Sequence, residues 1–389
     1  MKDIVFVNSH PIQYFAPLYK QISGINGLKI SVWYCSHESI SGNTDVGFNT
    51  QVKWDIPLLE GYYSELIPNN SWKPSIYNGF WGLVNWKVIS KLRKQPKSVI
   101  IIHGWAYFTN IIAIIFGKLY GHKVCLRAET PLNQEKRKNK FITFCKHLYL
   151  RFIFLFVDRF LFIGNQNRLF YKELHVSDSK LVFTPYSIDN ARFTDTFNQL
   201  DKREVRVRLK LPVDKKIILY SGKYIDKKRP LDLLKAFKLL NDKNIYLLMV
   251  GEGALRGEME NYIKSNGLGQ SVSLTGFINQ SLIPDYYAAA DCFVMCSGMG
   301  ETWGLSVNEA MNFGLPLIVS ETCGCVDDLI KNGVNGYSYP EGNIEKLSEA
   351  LNKICNADKE TIHCMKQASL DIISKYDYER IIEGIKQIA

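Results

Sequence analysis

The chain has 389 residues, which is too long for one hydrophobic core and predicts two domains. Hydrophobic residues make up 46% and charged residues 22% of it, which is typical of a soluble globular protein and excludes a disordered or fibrous chain. The nine cysteines include no CxxC pair, and the first residues show no signal-peptide pattern, so we expect reduced thiols and a cytoplasmic location. Cys323 and Cys325 are too close in sequence for a usual zinc pair.

The net charge of +10 is unevenly distributed. Residues 1–187 carry 23 Lys and Arg against 11 Asp and Glu, whereas residues 188–389 carry 25 against 27. The whole positive excess therefore lies in the first half of the chain.

Short apolar runs in the first half predict strands that alternate with helices. A helix is expected after the first strand, up to about Ser23. Residues 36–80 are rich in Gly, Asn, Ser and aromatic side chains and predict long loops, which are usually functional in compact domains. The predicted strands span residues 3–8, 29–34, 98–103, 123–127 and 159–163.

The positive charge is densest in residues 135–156, where apolar residues recur at helical spacing among basic ones. The segment is not transmembrane, because Lys146 and Arg151 interrupt it well short of twenty apolar residues. Two interpretations remain open: a membrane-surface helix that binds anionic lipid, or a core helix with a solvated basic face. Nucleic acid is not an expected partner, since no recognised binding motif is present.

The second half alternates strands and helices regularly, which predicts a doubly wound parallel sheet. We expect an N-terminal domain over residues 1–187 and a C-terminal domain over residues 200–373. The connection, residues 185–200, is polar and unpatterned, and a last helix at 374–389 is expected to pack back onto the first domain. The predicted elements span 216–221, 231–240, 245–250, 255–266, 272–275, 281–289, 292–296, 305–313 and 317–320.

A first group of candidate site residues follows the strand at 216–221. Gly222 begins a turn that carries Lys223, Lys228 and Arg229. Fixed cations in such a turn suit a diphosphate leaving group, because they stabilise the charge that develops on phosphate when the bond breaks. A solvated basic turn is the alternative.

A second group follows the strand at 292–296. Glu301 lies in the strand-to-helix turn and Glu309 in the helix predicted at 305–313. Backbone amides from Thr302 to Leu305 would face the crevice at the carboxyl ends of the strands and suit a phosphate. Carboxylates on both sides of an anion site fit the hydroxyl groups of a nucleotide sugar, whereas the alternative is a surface helix with two solvated glutamates.

This second group resembles the E-x7-E motif of the family 4 glycosyltransferases, which are retaining enzymes of GT-B fold. Trp303-Gly304-Leu305 stands where most members have Phe-Gly-Leu. The resemblance covers about residues 217–345, with a weaker one over the first half. It implies two Rossmann-like doubly wound domains facing a central cleft, and transfer of a hexose-type sugar from a nucleotide sugar. By the same resemblance, Glu301 holds the transferred sugar and Glu309 the ribose.

The family resemblance also implies donor roles for other residues of the second half. Lys223 and Lys228 match the family's two basic positions, with Arg229 as a substitute for the second. Gly251 matches a glycine at the nucleotide end, and the backbone near Phe277 and Ile278 would lie beside the base. For these last three, a turn glycine or core residue is the alternative.

The first half is expected to contribute the acceptor side. His10 and Gln13 occupy the loop where many relatives carry a Gly-Gly turn, and His103 ends a strand. Glu129 stands where several relatives carry a histidine near the transferred sugar. It would orient an acceptor hydroxyl or stabilise charge on the sugar ring; a salt bridge with Arg127 is the alternative.

The expected enzyme uses no metal and no cofactor, because no Asp-x-Asp pair is present and cations can neutralise the diphosphate. The family resemblance implies a front-face substitution and favours UDP-sugars, with a glycan or lipid-linked acceptor in surface polysaccharide synthesis. The segments 54–61 and 185–190 resemble a bacterial surface-polysaccharide branch. Alternatives from other classes are a nucleotide-sugar epimerase of the same fold and a non-catalytic basic protein that binds membrane surfaces.

Overall fold

The computed structural model describes residues 2–40, 44–45, 47, 50–51 and 53–389. The chain forms two compact units. Unit 1 contains the described residues within Met1–Asn43, Ile56–Tyr186 and Tyr378–Ala389, and unit 2 those within Thr44–Asp55 and Ser187–Asp377. Residues 41–43, 46, 48–49 and 52, all in the loop region predicted at 36–80, lie outside the described residues.

The first part of the chain alternates strands with helices, as expected for an α/β unit. Asn139 begins the longest of these helices, because its side-chain oxygen accepts hydrogen bonds from the amides of Phe141 and Ile142. The elements are β1 (Lys2–Asn8), α1 (Ala16–Ser23), β2 (Leu28–Tyr34), β3 (Thr44–Asp45), β4 (Thr50–Gln51), β5 (Ser64–Leu66), α2 (Lys87–Lys94), β6 (Val99–His103), α3 (Phe108–Leu119), β7 (Lys123–Arg127), α4 (Leu132–Glu135), α5 (Lys140–Phe154), β8 (Arg159–Phe162), α6 (Asn165–Glu173) and β9 (Leu181–Phe183).

The central sheet of unit 1 has seven strands in the order β5-β2-β1-β6-β7-β8-β9, all parallel. Its inner strands are buried on both faces, which is why they are continuous apolar runs. The strand order reverses between β1 and β6, so the loops that follow these two strands border the crevice where α/β sheets bind ligands.

The second part of the chain is also α/β. Asn343 and Asp358 begin two of its helices through side-chain caps. The elements are α7 (Asn190–Gln199), α8 (Lys202–Arg208), β10 (Lys216–Ser221), α9 (Pro230–Leu240), β11 (Ile245–Val250), α10 (Arg256–Ser265), β12 (Val272–Leu274), α11 (Ile283–Ala289), β13 (Cys292–Met295), α12 (Leu305–Asn312), β14 (Leu317–Ser320), α13 (Val326–Leu329), β15 (Gly336–Tyr339), α14 (Ile344–Cys355), α15 (Lys359–Ile373) and α16 (Tyr378–Ile388).

The sheet of unit 2 has six parallel strands in the order β12-β11-β10-β13-β14-β15. This order is that of a Rossmann sheet, with the reversal between β10 and β13. The loops after β10 and β13 are those that carry the two groups of candidate site residues. The prediction of two doubly wound parallel sheets is therefore confirmed.

The last helix, α16, packs against the sheet of unit 1. Ile381, Ile382, Ile385 and Ile388 are buried in the same core cluster as residues of β1 and β2. Gly384 lets the helix approach closely, since a Cβ there would lie 2.6 Å from the carbonyl oxygen of Phe183. Unit 1 thus gains part of its core from the last twelve residues of the chain.

Two local predictions from the sequence are wrong. The connection predicted as unpatterned contains helix α7, which begins where the side chain of Asp189 accepts a hydrogen bond from the amide of Arg192. Its inward residue, Phe193, is buried and contacts the ring of Phe313. The loop region at 36–80 contains strand β5, which extends the sheet beside β2.

None of the helices in the described part of the chain is both long and apolar enough to cross a membrane.

We expect the substitution Ile385→Ala to destabilise unit 1 by about 2–5 kcal/mol, because a buried branched side chain is lost and leaves a cavity. Urea unfolding measures this loss. Lys386→Ala, at an exposed position of the same helix, is the matched control and should change stability little. Equal stability of the two variants would show that α16 is not part of the core.

Candidate donor site at the reversal of the second sheet

The two groups of residues predicted from sequence form one cluster in unit 2. The Lys228 ammonium, in the loop after β10, donates a hydrogen bond to the Glu301 carboxylate, in the loop after β13. Lys227 strengthens the connection: its Nζ lies 2.8 Å from the carbonyl oxygen of Gly300, and its own carbonyl oxygen accepts from the amide of Gly298 at 2.8 Å. The two loops are therefore joined at the point where the strand order reverses.

Glu301 is buried, with 8% of the residue exposed. Burial by itself raises the pKa of a carboxyl group, but the charges of Lys228 and Lys227 and hydrogen bonds from Lys228 and Ser297 outweigh it. The pKa of Glu301 consequently lies below its ordinary value. The residue is a carboxylate at neutral pH and presents acceptor oxygens beside a cation.

Glu309 lies one turn after the start of α12 and is also buried, with 3% of the residue exposed. Its Oε2 accepts a hydrogen bond of 2.7 Å from the hydroxyl of Tyr287 on α11. The alternative of a surface helix with two solvated glutamates is therefore wrong. Two buried carboxylates eight positions apart need specific partners, and the structure supplies Lys228 for one and Tyr287 for the other.

The turn between the two glutamates is held by packing. Gly304 has φ +112°, and a Cβ there would meet the sulfur of Met295 at 2.7 Å, so the position requires glycine. Trp303 is buried and donates through Nε1 to Oδ1 of Asn308 at 2.9 Å. This bond directs the indole into the unit, whereas Thr302 and Leu305 on either side are half-buried.

The basic side chains in the loop after β10 have different partners. Lys223 lies against the backbone of Gly47, where a Cβ would approach its Nζ to 2.6 Å. Arg229 has a left-handed φ of +49° and pairs with Asp232 at 2.5 Å and Glu341 at 3.8 Å. Its guanidinium is thus committed to two carboxylates, whereas Lys228 contacts Glu301.

Gly222 and Gly251 are held together by backbone contact. A Cβ on Gly251 would lie 1.9 Å from the carbonyl oxygen of Gly222, so only glycine fits. The amide of Gly251 donates to the carbonyl oxygen of Gly276 at 3.0 Å. The ends of β10, β11 and β12 therefore form a closely packed backbone surface next to the cation loop.

Phe277 and Ile278 follow the turn at Gly276 and are half-buried. The Trp54 and Phe277 rings contact at a centroid distance of 5.9 Å. The adjacent Asp55 accepts hydrogen bonds from the amide and hydroxyl of Ser281. A segment from the first half of the sequence thus packs against the residues beside which the nucleotide base was expected, and the sequence did not indicate this contact.

The residues expected on the acceptor side belong to unit 1 and border the reversal of its sheet. Half-buried His10 and Gln13 lie in the loop after β1, where Nδ1 of His10 is 2.9 Å from the Ser9 hydroxyl oxygen. His103 ends β6, and burial together with the charge of Arg127 holds the pKa of His103 well below its ordinary value. His103 is accordingly neutral at pH 7.

Arg127 pairs with Glu129 through an Nη1–Oε1 distance of 3.2 Å, so the salt bridge given as the alternative to a site role is present. The guanidinium also lies 4.9 Å from the centre of the Phe15 ring and 4.7 Å from that of Tyr186. Glu129 keeps about a third of its side chain exposed, and can therefore reach a ligand while Arg127 fixes its orientation.

A cavity of about 10 Å³ beside Arg127 has a mainly apolar lining, to which His103 and Thr184 also belong. For Nε2 of His103, Nη2 of Arg127 and Oγ1 of Thr184, no hydrogen-bond partner is found among the described residues.

The described residues contain no cluster of three or more His, Cys, Asp or Glu side chains suited to a metal ion. Cys323 and Cys325 are buried near Glu301, and burial raises their pKa well above the ordinary thiol value. They are therefore neutral thiols in the packing around the turn.

Sequence reasoning named neither Tyr287 nor Asn308, and gave Lys227 no site role. Tyr287 lies on the helix before β13, and Asn308 is one position before Glu309. Trp303 precedes helix α12, so helical spacing does not pair it with Asn308, and no sequence signal connects Tyr287 with Glu309.

Several known proteins resemble this chain in sequence or in fold. Residues 201–370 match the family described as glycosyl transferases group 1. A lipopolysaccharide 1,2-N-acetylglucosaminetransferase of Salmonella typhimurium is 25% identical over 210 residues, which cover 51% of this chain and 55% of that protein. An N,N'-diacetylbacillosaminyl-diphospho-undecaprenol alpha-1,3-N-acetylgalactosaminyltransferase of Campylobacter jejuni is 25% identical over 263 residues, 64% of this chain and 67% of that protein. The chain spans about half the length of the first curated relatives it matches.

Among solved structures, Anabaena Alr3699/HepE in complex with UDP superposes with a TM-score of 0.76 at 15% identity, over 100% of this chain and 99% of that one. The fold of this protein is GT-B, with two Rossmann-like domains, as the sequence resemblance implied.

The ion pair predicts a pH-dependent stability. The pKa of Glu301 is lower in the folded state than in the unfolded state, where it is about 4.3. Its contribution to the free energy of unfolding is therefore fully present above the unfolded-state pKa and is lost as the pH falls through the folded-state pKa. The excess stability of the wild-type chain over Glu301→Gln should therefore shrink between about pH 7 and about pH 3. Urea unfolding at several pH values measures it.

Glu349→Gln is the matched control, because it removes a carboxylate from an exposed pair with Lys346. The free energy of unfolding of Glu349→Gln should differ little from that of the wild type at every pH. If the Glu301→Gln difference is the same at both ends of the pH range, Glu301 does not pair with Lys228 in the folded chain.

Proposed function

Because residues 201–370 match the family described as glycosyl transferases group 1, we propose that this protein is a retaining glycosyltransferase. It moves a hexose-type sugar from a UDP-sugar to a glycan or lipid-linked acceptor in surface polysaccharide synthesis. The observation that carries the proposal is the buried Lys228–Glu301 pair at the reversal of the second sheet, where α/β folds bind nucleotides.

The donor fits this pair by charge. A sugar hydroxyl donates to the Glu301 carboxylate, while the diphosphate lies against Lys228 and Lys223. Glu309 accepts from the ribose hydroxyls, with Tyr287 holding its other oxygen. The base lies towards Phe277 and Ile278, and Gly222 and Gly251 provide backbone without side chains between the two ends.

In the reaction, the acceptor oxygen forms a bond to the anomeric carbon while the bond from that carbon to the phosphate oxygen breaks. Negative charge develops on the departing β-phosphate, and preorganised cations stabilise it without reorganisation. The acceptor attacks the face of the sugar from which the phosphate departs, so the configuration is retained, and the acceptor proton passes to that phosphate. Glu129, oriented by Arg127, accepts a hydrogen bond from the acceptor.

Two relatives support the choice of donor and acceptor. Alr3699/HepE is described in complexes with UDP and with UDP-glucose, which favours a UDP-sugar. The Campylobacter protein acts, by its name, on a sugar diphospho-undecaprenol, which favours a lipid-linked acceptor presented at the inner face of the cell membrane.

Glu301→Ala or Lys228→Ala should abolish transfer while the protein stays folded. Each residue acts on the donor from a loop outside the main core, and one such transition-state interaction contributes about 3 kcal/mol, roughly a hundredfold in rate. The measurement is the turnover at saturating UDP-sugar, with donor affinity followed by isothermal titration. Lys346→Ala, in an exposed ion pair, is the control and should keep full activity. A variant that retained more than about a third of wild-type turnover would remove that residue from the mechanism.

Activity should survive exhaustive EDTA treatment. Lys223, Lys228 and the amides at the start of α12 take the place of a metal on the diphosphate. Transfer is measured before and after treatment, and after Mg²⁺ or Mn²⁺ is added back. Activity that is lost with EDTA and restored by either ion would reject this account of the leaving group.

A further inference from the structure

Helix α5 of unit 1 presents an apolar face to solvent. Its inward side chains, Leu150, Ile153 and Phe154, are buried in the core. The helix therefore packs on the core, as one of the two interpretations held, but its outward face carries large apolar side chains beside the basic ones. Large side chains on that face, each between 57% and 74% exposed, are Phe141, Ile142, Phe144, Leu148, Phe152 and, just after the helix, Leu155.

These side chains form a continuous stripe. Phe141, Phe144, Leu148, Phe152 and Leu155 are spaced three or four positions apart, so they lie above one another along one side of the helix. Contiguous exposed apolar surface of this kind marks an interaction site, whereas single exposed apolar residues do not.

Basic side chains border the stripe. Lys136, Arg137, Lys140 and Arg151 are exposed at the start of the helix and along one flank. Lys138 and Lys146 are close by, but they pair with the buried carboxylate of Glu135. An apolar stripe with basic flanks is complementary to a bilayer with anionic headgroups, and the same flanks would repel a second copy of this chain.

A second group of exposed aromatic residues packs on α3, the helix that also packs against α5. The rings of Trp81 and Trp86 lie 5.2 Å and 4.9 Å from the ring of Phe108, and Trp72 lies 5.6 Å from Trp81. Trp72, Trp81 and Trp86 are each about half exposed or more. Tryptophan is the side chain enriched at the level of lipid headgroups.

We propose that α5 inserts its apolar stripe into the headgroup–acyl boundary of an anionic bilayer, with the basic flanks on lipid phosphates. This inference rests on the proposed function only in that a lipid-linked acceptor gives the docking a purpose. It differs from attraction by charge alone, because part of the binding should persist when salt screens the charges.

Co-sedimentation with phosphatidylglycerol vesicles measures the partition coefficient. For the wild-type chain we expect the partition coefficient to fall about tenfold between roughly 0.1 M and 0.5 M salt. At the higher salt concentration it should reach a plateau that still exceeds the partition coefficient measured with neutral vesicles. The triple substitution Phe144→Ser, Leu148→Ser and Phe152→Ser should lower binding at least about tenfold at both salt concentrations. Loss of the plateau in the wild-type chain would overturn insertion in favour of adsorption by charge.

Unit 2 offers a matched control. Leu239, Leu282 and Val334 are similarly exposed, and their replacement by Ser removes comparable apolar surface elsewhere. This control should bind vesicles as the wild type does. If both triple variants bind equally well, α5 is not the docking element. If the α5 variant instead turns a dimer into a monomer and keeps its vesicle binding, the stripe is an interface between copies and the proposal fails.

Two cysteines allow a direct test of insertion. Cys145 is exposed beside the stripe and Cys364 is exposed on α15 in unit 2, whereas the other seven are buried. An environment-sensitive fluorophore on Cys145, in a Cys364→Ser chain, should shift to shorter wavelength with vesicles. In a Cys145→Ser chain labelled at Cys364, the fluorescence should not shift. Absence of a shift at Cys145 while the protein co-sediments would exclude insertion of this face.

The two proposals can fail separately. Hydrolysis of a UDP-sugar without vesicles should be unchanged in the α5 variant, whose substitutions lie in unit 1. Lys228→Ala should lose that hydrolysis and still bind vesicles. Loss of vesicle binding in Lys228→Ala, or of hydrolysis in the folded α5 variant, would contradict the assignment of docking to α5 alone.

Discussion

The ion pair between Lys228 and Glu301 is the interaction on which the candidate site depends. A carboxylate as buried as Glu301 is costly unless a cation and hydrogen bonds compensate it, and removal of one partner leaves the other charge unpaired. The pair therefore fixes the loop after β10 against the loop after β13. It also keeps a fixed positive and a fixed negative charge side by side, which is what a ligand with both a phosphate and sugar hydroxyls requires.

The position of this pair follows from sheet topology, and the topology could be predicted from sequence to a large extent. Buried parallel strands are uninterrupted apolar runs, so β10, β11 and β14 were located to the residue. Parallel strands with alternating helices bring their carboxyl ends to one edge, which indicated that both loops border a crevice. The sequence could not show that Lys228 contacts Glu301 while Arg229 does not, because that depends on the left-handed backbone at Arg229 and on Asp232 and Glu341.

Other features escaped prediction for reasons of tertiary packing. Helix α7 is short and mostly polar, and it depends on its cap at Asp189 and on the packing of Phe193 and Phe197 against Phe313. Helix α5 has apolar residues on both sides, so periodicity alone could not decide which side faces the core. The segment at Trp54 and Asp55 packs on residues more than two hundred positions later, and no local pattern encodes such a contact.

The two units therefore divide the physical tasks. The family match at residues 201–370 lies in the unit that holds the paired charges and the glycines of close backbone approach. Unit 1 lies outside that match and carries the positive excess, the apolar stripe of α5 and the Arg127–Glu129 pair. Such an unpartnered apolar stripe is a liability for a dissolved protein unless a surface covers it. Docking on a lipid surface, as proposed for α5, would cover the stripe and remove this liability.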